Sequence, residues 1–299
     1  MKYLSSQKFA IIGAGNVGTA LGYLLRQAGH EITAIADKSA AHLKRALPYT
    51  GGTAFRQPQK AIKNADCILI TTSDDAISEV CRAIAEGSSL QGKIVFHVSG
   101  AGGLDLLEPA RESGAQIASI HPIQSFSSID NAIKNIPGSV FGITADKKIK
   151  KWAEKIVADL GGTPIFISDE QKPLYHAAAC LASNYLVSLL NVVEQLYESI
   201  GLTPAEARQA YLPLVYGSLK NIEKSGSIQA LTGPIARGDS GTVRKHIQAI
   251  NEILPRFSSL YTELGLIAAV IGRRKGTLKK QQLKEIENIL KGAHHERTD

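Results

Sequence analysis

Residues Phe9 to Gly22 read FAIIGAGNVGTALG, and few folds accommodate that order of residues. Ala10, Ile11 and Ile12 make a short apolar run that predicts a buried strand. Gly13, Gly15 and Gly18 follow in GxGxxG spacing, and Leu21, Leu24 and Leu25 then recur at helical period. A strand, a tight turn and a helix in this order open a parallel α/β sheet. Each glycine has its own reason: Gly13 permits the turn, Gly15 lets backbone approach a pyrophosphate, and Gly18 lets the helix pack closely on the strand. The helix N-terminus offers unpaired N–H groups and a partial positive charge to a diphosphate. Gly13, Gly15, Asn16, Val17 and Gly18 are therefore the expected dinucleotide-binding turn.

Further along, Glu31 to Ala36 predicts a second strand that closes on Asp37, 24 residues beyond Gly13. An acidic residue near this position meets the adenosine ribose in NAD-binding folds. The cation and hydroxyl of Lys38 and Ser39 suit instead the extra phosphate of NADP, so the expected cofactor is NADP or NAD. Asp37 has a purely structural alternative, as the cap of the next helix. Cys67 to Thr71 is a continuous apolar strand of the kind buried in parallel sheets. It opens into Thr72, Ser73, Asp74 and Asp75 ahead of a helix from Ala76, a candidate wall for the nicotinamide ribose or a simple cap. Lys93 to Val98 and Ile117 to Ile120 predict two more strands, with ends at Ser99-Gly100 and His121-Pro122 on the same rim. Val140 to Thr144 and Pro164 to Ser168 predict the last two.

From Asp169 the texture changes. Strand runs vanish, and Tyr175 to Val193 predicts one helix apolar almost all round, long enough to approach a bilayer span but interrupted by Ser183, Asn184, Ser188 and Asn191. It is expected in a domain or subunit core. Thr203-Pro204 caps a helix, Pro213 sits early in the next, Leu231 to Asp239 is a loop, and long helices run from about Thr242 to Gly265. The expected fold is an α/β doubly wound domain of Rossmann type over residues 1–168, followed by an all-α domain over 169–299. The apolar face of Ala178 to Val193 predicts a homodimer.

Lys172, His176 and Asn184 stand four and twelve residues apart on the most apolar helical run. Polar groups on one stripe of such a helix need partners, and beside a dinucleotide domain a partly desolvated lysine can donate a proton to a carbonyl being reduced. Its ammonium is expected to point into the cleft. Arg237 is a candidate clamp for a substrate carboxylate, because its fork matches two oxygens.

Composition narrows the rest. The 299 residues carry a net charge of +7, of which Gly272 to Asp299 supplies about +4. Leu278, Leu283, Ile286 and Leu290 recur there at near-helical spacing, which predicts a solvated amphipathic helix with a frayed end from His294 rather than a nucleic-acid contact. Cys67, Cys81 and Cys180 show no CxxC spacing and are expected as buried thiols. The histidines have no ligand-like spacing, so no metal site is expected. Neither a membrane partner nor a signal sequence is expected, and the protein is read as cytoplasmic.

A glycine-turn domain followed by a helical domain that opens on a lysine resembles the superfamily of 3-hydroxyacid, 6-phosphogluconate and ketopantoate dehydrogenases. More narrowly, HVSGAGGL, SIHPIQSF, KPLYHAAACLASNYL and LTGPIARGD resemble a bacterial group of Rossmann-like proteins with an uncharacterised helical C-terminal domain. The resemblance covers nearly the whole chain up to the basic tail. It implies a catalytic lysine, here Lys172, with a polar partner one turn on. Ketopantoate reductases have an Asn at that place; this chain has His176, and an Asn only at Asn184. The resemblance further implies that Ser99 and Gly100 help bind substrate and that His121 and Arg237 face the cleft. The function expected is hydride transfer between nicotinamide and a small keto or hydroxy acid, ketopantoate-like. Reduction of a cyclic imine, as in pyrroline carboxylate reductases, and non-enzymatic NAD(P) sensing are the alternatives.

Overall fold

The computed structural model describes residues 6–86 and 89–295. Strand and helix alternate from β1 (Lys8–Ile12) and α1 (Asn16–Gln27) through β2 (Glu31–Ala36), α2 (Ala40–Thr50), β3 (Thr53–Phe55) and α3 (Pro58–Ala61). They continue with β4 (Cys67–Ile70), α4 (Asp74–Glu86), β5 (Ile94–His97), α5 (Glu108–Glu112), β6 (Gln116–Pro122) and α6 (Ile129–Asn135). After β7 (Val140–Ala145), α7 (Lys150–Asp159) and β8 (Thr163–Phe166) the chain is helical. The helices are α8 (Lys172–Ala182), α9 (Asn184–Glu198), α10 (Pro204–Ala230), α11 (Pro234–Arg237), α12 (Ser240–Ile253), α13 (Ser258–Lys275) and α14 (Lys280–His295).

All eight strands lie in one sheet in the order β3-β2-β1-β4-β5-β6-β7-β8. The first six are parallel, β7 runs antiparallel to β6, and β8 is parallel to β7. The order reverses at β1, between β2 and β4, which opens a crevice beyond the carboxyl ends of β1 and β4. Alternate residues of each central strand enter separate cores. Phe9, Ile11, Leu69 and Phe96 pack with Trp152 on one face, while Ala10, Ile12, Ile68, Ile70 and Val95 pack with α4 and α5 on the other. Burial on both faces is why these strands read as unbroken apolar runs rather than as alternations. The expected doubly wound domain followed by helices is the observed architecture.

The chain forms two compact units, Met1–Asn184 and Tyr185–Asp299. The change of texture at residue 168 therefore precedes the change of packing unit, because α8 belongs with the sheet. Several local expectations are corrected. The single helix Tyr175 to Val193 is two, separated at Ser183 (φ −117°, ψ −73°). Although residues 169–198 are long and apolar enough by composition to cross a membrane, Lys172 at the start of α8 is buried against the sheet. Pro213 belongs to no second helix and lies inside α10, which Thr203 opens with a capping box to Glu206. The loop Leu231 to Asp239 contains α11. The strand β3, three residues without a pattern, went unforeseen, and α4 begins at Asp74 rather than Ala76.

The basic C-terminal segment is no solvated appendage. Leu278, Ile286 and Leu290 are fully buried with Val243 and Ala269, and Gly265 on α13 leaves the room that Leu290 fills. The frayed end expected after His294 falls outside the described residues beyond His295. Leu290→Ala is expected to destabilise the protein by about 2–5 kcal/mol through the cavity it leaves, measured by urea unfolding followed by circular dichroism. An unchanged midpoint would restore the solvated helix.

Candidate functional site

The glycine turn is built as its spacing demands. Gly13 has φ +111°, and a Cβ there would stand 2.7 Å from the Thr71 carbonyl. Its N–H donates to the Ala36 carbonyl (2.7 Å), which ties the turn to the end of β2. Gly18 packs on the turn itself: a Cβ would lie 2.2 Å from both the Gly13 carbonyl oxygen and Thr71 Oγ1. Gly22, one helical turn on, is the glycine that meets the strand, at Ile11. Gly15 caps α1 and has open space where its side chain would be. That open space fits a ligand approaching the backbone.

Above the turn lies a cavity of about 350 Å³ lined by Gly13, Gly15, Asp37, Lys38, Arg56 and Thr72, with His42 and Ser73 at its edge. Thr72 Oγ1 is buried and has no hydrogen-bond partner in the protein. An orphaned hydroxyl, an open glycine and three basic side chains (Lys38, His42 and Arg56) fit a phosphorylated dinucleotide. Asp37 lines this cavity and is not the helix cap. Its carboxylate accepts hydrogen bonds from Ala14 N–H (2.7 Å) and Ser39 N–H (2.7 Å) and lies 3.4 Å from His42 Nδ1. Ser39 is the cap, accepting from His42 N–H. Asn16 donates to the Phe126 carbonyl (3.2 Å), and Val17 packs against the core.

A second polar cluster forms where α8 meets the ends of β5 and β6. Lys172 is 1% exposed, and its Nζ donates to Ser119 Oγ (2.8 Å) and to the Ser99 carbonyl (3.2 Å). The ammonium therefore enters the sheet ends instead of opening freely into a cleft. Burial lowers its pKa to about 8, against the opposing pull of Asp169 and Asp74. Ser99 is held from three sides: its N–H donates to His97 Nδ1 (3.1 Å), its hydroxyl donates to Asp74 (2.7 Å), and that hydroxyl accepts from Gly102 N–H (2.8 Å). His97 is fully buried, and burial lowers its pKa to about 4.

Gly100 lets two imidazoles close in. A Cβ there would be 2.3 Å from His176 Nδ1 and 2.9 Å from His121 Nε2. The rings of His121 and His176 stand 5.7 Å apart, edge to face. His121 Nδ1 bonds Tyr175 Oη (2.8 Å), His176 Nε2 lies 3.5 Å from Cys180 Sγ, and His176 Nδ1 is buried without a partner. Cys180 is thus half-buried beside an imidazole, unlike the fully buried Cys67 and Cys81.

Lys172, His176, Ser99, Gly100 and His121 are brought together, with Asp74 as a partner of Ser99. One expected member, Asn184, is not. It stands exposed beyond the break at Ser183, off the helical stripe. Arg237 belongs to the second unit, where its Nε and Nη2 donate to Asp239 Oδ2 (3.0 and 2.7 Å), so its fork already holds a carboxylate. Arg56, His42, Tyr175 and Cys180 were missed. Arg56 follows a strand too short to show a period, whereas Tyr175 was visible beside His176. Among the described residues no group of His, Cys, Asp and Glu is placed to hold a metal ion.

Two alanine substitutions separate fold from ligand. Gly18→Ala forces backbone apart and is expected to cost about 1–3 kcal/mol of stability. Gly15→Ala meets nothing in the free protein and is expected to leave the melting temperature unchanged while weakening dinucleotide binding in a titration. Equal losses of stability from both would remove Gly15 from the binding turn.

Comparison with known proteins divides the chain earlier, between β6 and β7. Residues 4–122 match the family described as Rossmann-like domain, and residues 139–267 match the domain of unknown function DUF2520. A sequence comparison with curated proteins gives no match. Among solved structures, a Bacteroides fragilis protein that carries the name of an NADP oxidoreductase is 19% identical (TM-score 0.74), covering 89% of this chain and 98% of its own. Protein TM1727 from Thermotoga maritima is 25% identical (TM-score 0.71; 89% and 99%), and a pyrroline-5-carboxylate reductase from Coxiella burnetii is 18% identical (TM-score 0.58; 91% and 98%). The chain thus has a Rossmann-like fold in its first part and is similar to these two families over separate stretches.

Proposed function

We propose that the protein is an NADP-dependent reductase of small carbonyl or imine compounds, within the superfamily of 6-phosphogluconate, 3-hydroxyacid and ketopantoate dehydrogenases. The observation that carries this reading is the cavity beyond β1 and β4, with Gly15 open, Thr72 Oγ1 unpartnered, and Lys38, His42 and Arg56 around Asp37. Asp37 has both carboxylate oxygens engaged by backbone N–H groups, and its single negative charge stands against Lys38 and Arg56 around the same cavity. The three basic side chains then favour NADP over NAD. When bound, the nicotinamide supplies or takes up hydride.

The protein's own part is to hold substrate and move one proton. Lys172 carries its proton at Nζ in a buried setting that makes it easier to release. His176 lies one turn along the same helix and is the rival donor. Two substrate classes share this machinery, a keto acid of the ketopantoate kind and a cyclic imine. One observation favours the imine: Arg237, the residue expected to clamp a carboxylate, is taken by Asp239. The names of the pyrroline-5-carboxylate reductase and of an Aspergillus terreus reductive aminase of similar fold support the same preference.

Titration of NADPH and NADH, followed by a panel of keto acids and cyclic imines scored by cofactor oxidation, tests the reading. Arg56→Ala is expected to weaken NADPH about 10- to 100-fold, the range of a lost charge-assisted contact, and to leave NADH nearly unchanged. Lys172→Met is expected to cut turnover about 10²- to 10⁴-fold; unaltered turnover passes the donor role to His176. Binding without turnover on any substrate would leave an NAD(P)-sensing protein.

The reading includes a homodimer. Val187, Leu214 and Ile267 are each more than half exposed, as is Leu181 on α8, and apolar surface of that extent is stable in water when a second copy covers it. Light scattering at micromolar concentration is expected to give twice the chain mass, and a monomer would refute it.

A further inference from the structure

The contacts of Tyr175 are the part of the second cluster that the reading above leaves unused. Its phenol oxygen is 2.8 Å from His121 Nδ1 and packs on Gly142, the residue opposite His121 in the β6–β7 pair. Gly142 makes this possible, since a Cβ there would stand 2.4 Å from the phenol oxygen. The phenol is thus wedged between a strand and an imidazole. Its hydroxyl proton needs an acceptor, and the nitrogen within hydrogen-bond distance is His121 Nδ1.

We propose that Tyr175 locks His121 in the tautomer with its proton on Nε2, making His121 a neutral hydrogen-bond donor to the substrate oxygen or nitrogen that gains charge during reduction. The proposal rests on the reductase reading for its last clause only.

Three further observations support it. The Cε1–Nε2 edge of His121 faces Gly100, the side-chain-free position on which His176 Nδ1 also converges. Burial lowers the His121 pKa to about 4, reinforced by the neighbouring bases His176 and Lys172 on α8 and opposed by Asp74, so the ring is neutral over the physiological range. Burial likewise raises the Tyr175 phenol to about 12, so it keeps the proton it donates. A neutral donor is suited to polarise a bond without giving up its proton, which leaves protonation to Lys172 or His176. In this division Tyr175 is a positioning residue and His121 the group that touches substrate.

Nitrogen-15 NMR of the full protein labelled at histidine reads the tautomer directly, with His121 assigned by its disappearance in His121→Gln. The expected spectrum shows His121 neutral and protonated on Nε2 at pH 7. Tyr175→Phe, which removes one oxygen, is expected to give a mixture of tautomers and to lower kcat about 10- to 100-fold, as loss of an orienting partner does, with NADPH affinity unchanged. A charged His121, a proton on Nδ1, or an unchanged tautomer in Tyr175→Phe overturns the lock. Should the lock hold while Tyr175→Phe and His121→Gln both keep full kcat, the donor role is overturned. Absence of reductase activity in the parent protein would sink the function and leave the spectroscopic result standing or falling by itself. If Tyr175→Phe does not fold, the parent spectrum still decides the tautomer.

Discussion

An ammonium ion taken out of water must find oxygen atoms, and Lys172 finds them on two adjacent strand ends. Its bonds to the Ser99 carbonyl and to Ser119 Oγ join the first turn of α8 to the exits of β5 and β6. Removing one partner of such a buried charge is far more costly than forming the pair is rewarding. The arrangement therefore fixes where α8 stands, and with it the positions of Tyr175, His176 and Cys180. The polar cluster is a consequence of that anchor. Ser99, in turn, is held by His97 and Asp74, so the anchor point is itself braced from β5 and α4.

The dinucleotide turn depends on a different economy, that of absent atoms. Gly13, Gly18 and Thr71 occupy a space in which no further carbon fits. Asp37 then closes the turn from the neighbouring strand through Ala14 N–H. Its carboxylate is satisfied by the backbone of the turn, which leaves the outer wall of the cavity to Lys38, His42 and Arg56. Sign of charge and shape thus come from separate residues.

The fold was legible where a side-chain pattern had a single physical cause. Buried parallel strands gave unbroken apolar runs, and the glycine spacing announced the turn. β3 was illegible because three residues at the second strand's edge carry no period, and the break at Ser183 was illegible because apolar residues continue on both sides of it. The C-terminal helix was read from its stripe of Leu278, Leu283, Ile286 and Leu290, but the Lys-rich opposite face gave no sign that this stripe packs into a core. In the site, Lys172, His176, Ser99 and His121 were named from sequence, but their mutual contacts were not. Tertiary pairing showed that Asp37 closes on Ala14, while the Arg237–Asp239 pair is a local contact two residues apart that the sequence had placed within reach.

Burying bases also sets how the first unit responds to acid. His97 and His121 accept a proton near pH 4 when folded, whereas an unfolded histidine accepts one near pH 6.5. Between those values the unfolded chain holds more protons, so the stability these rings contribute is complete above pH 6.5 and drains away as pH falls toward 4. Lys172 acts with the same sign in a higher window: it loses its proton near pH 8 when folded and near 10.5 when unfolded, so stability is gained as pH rises between the two. The first unit thus favours the alkaline side of neutrality, a thermodynamic imprint of having placed three bases where water cannot solvate their charged forms.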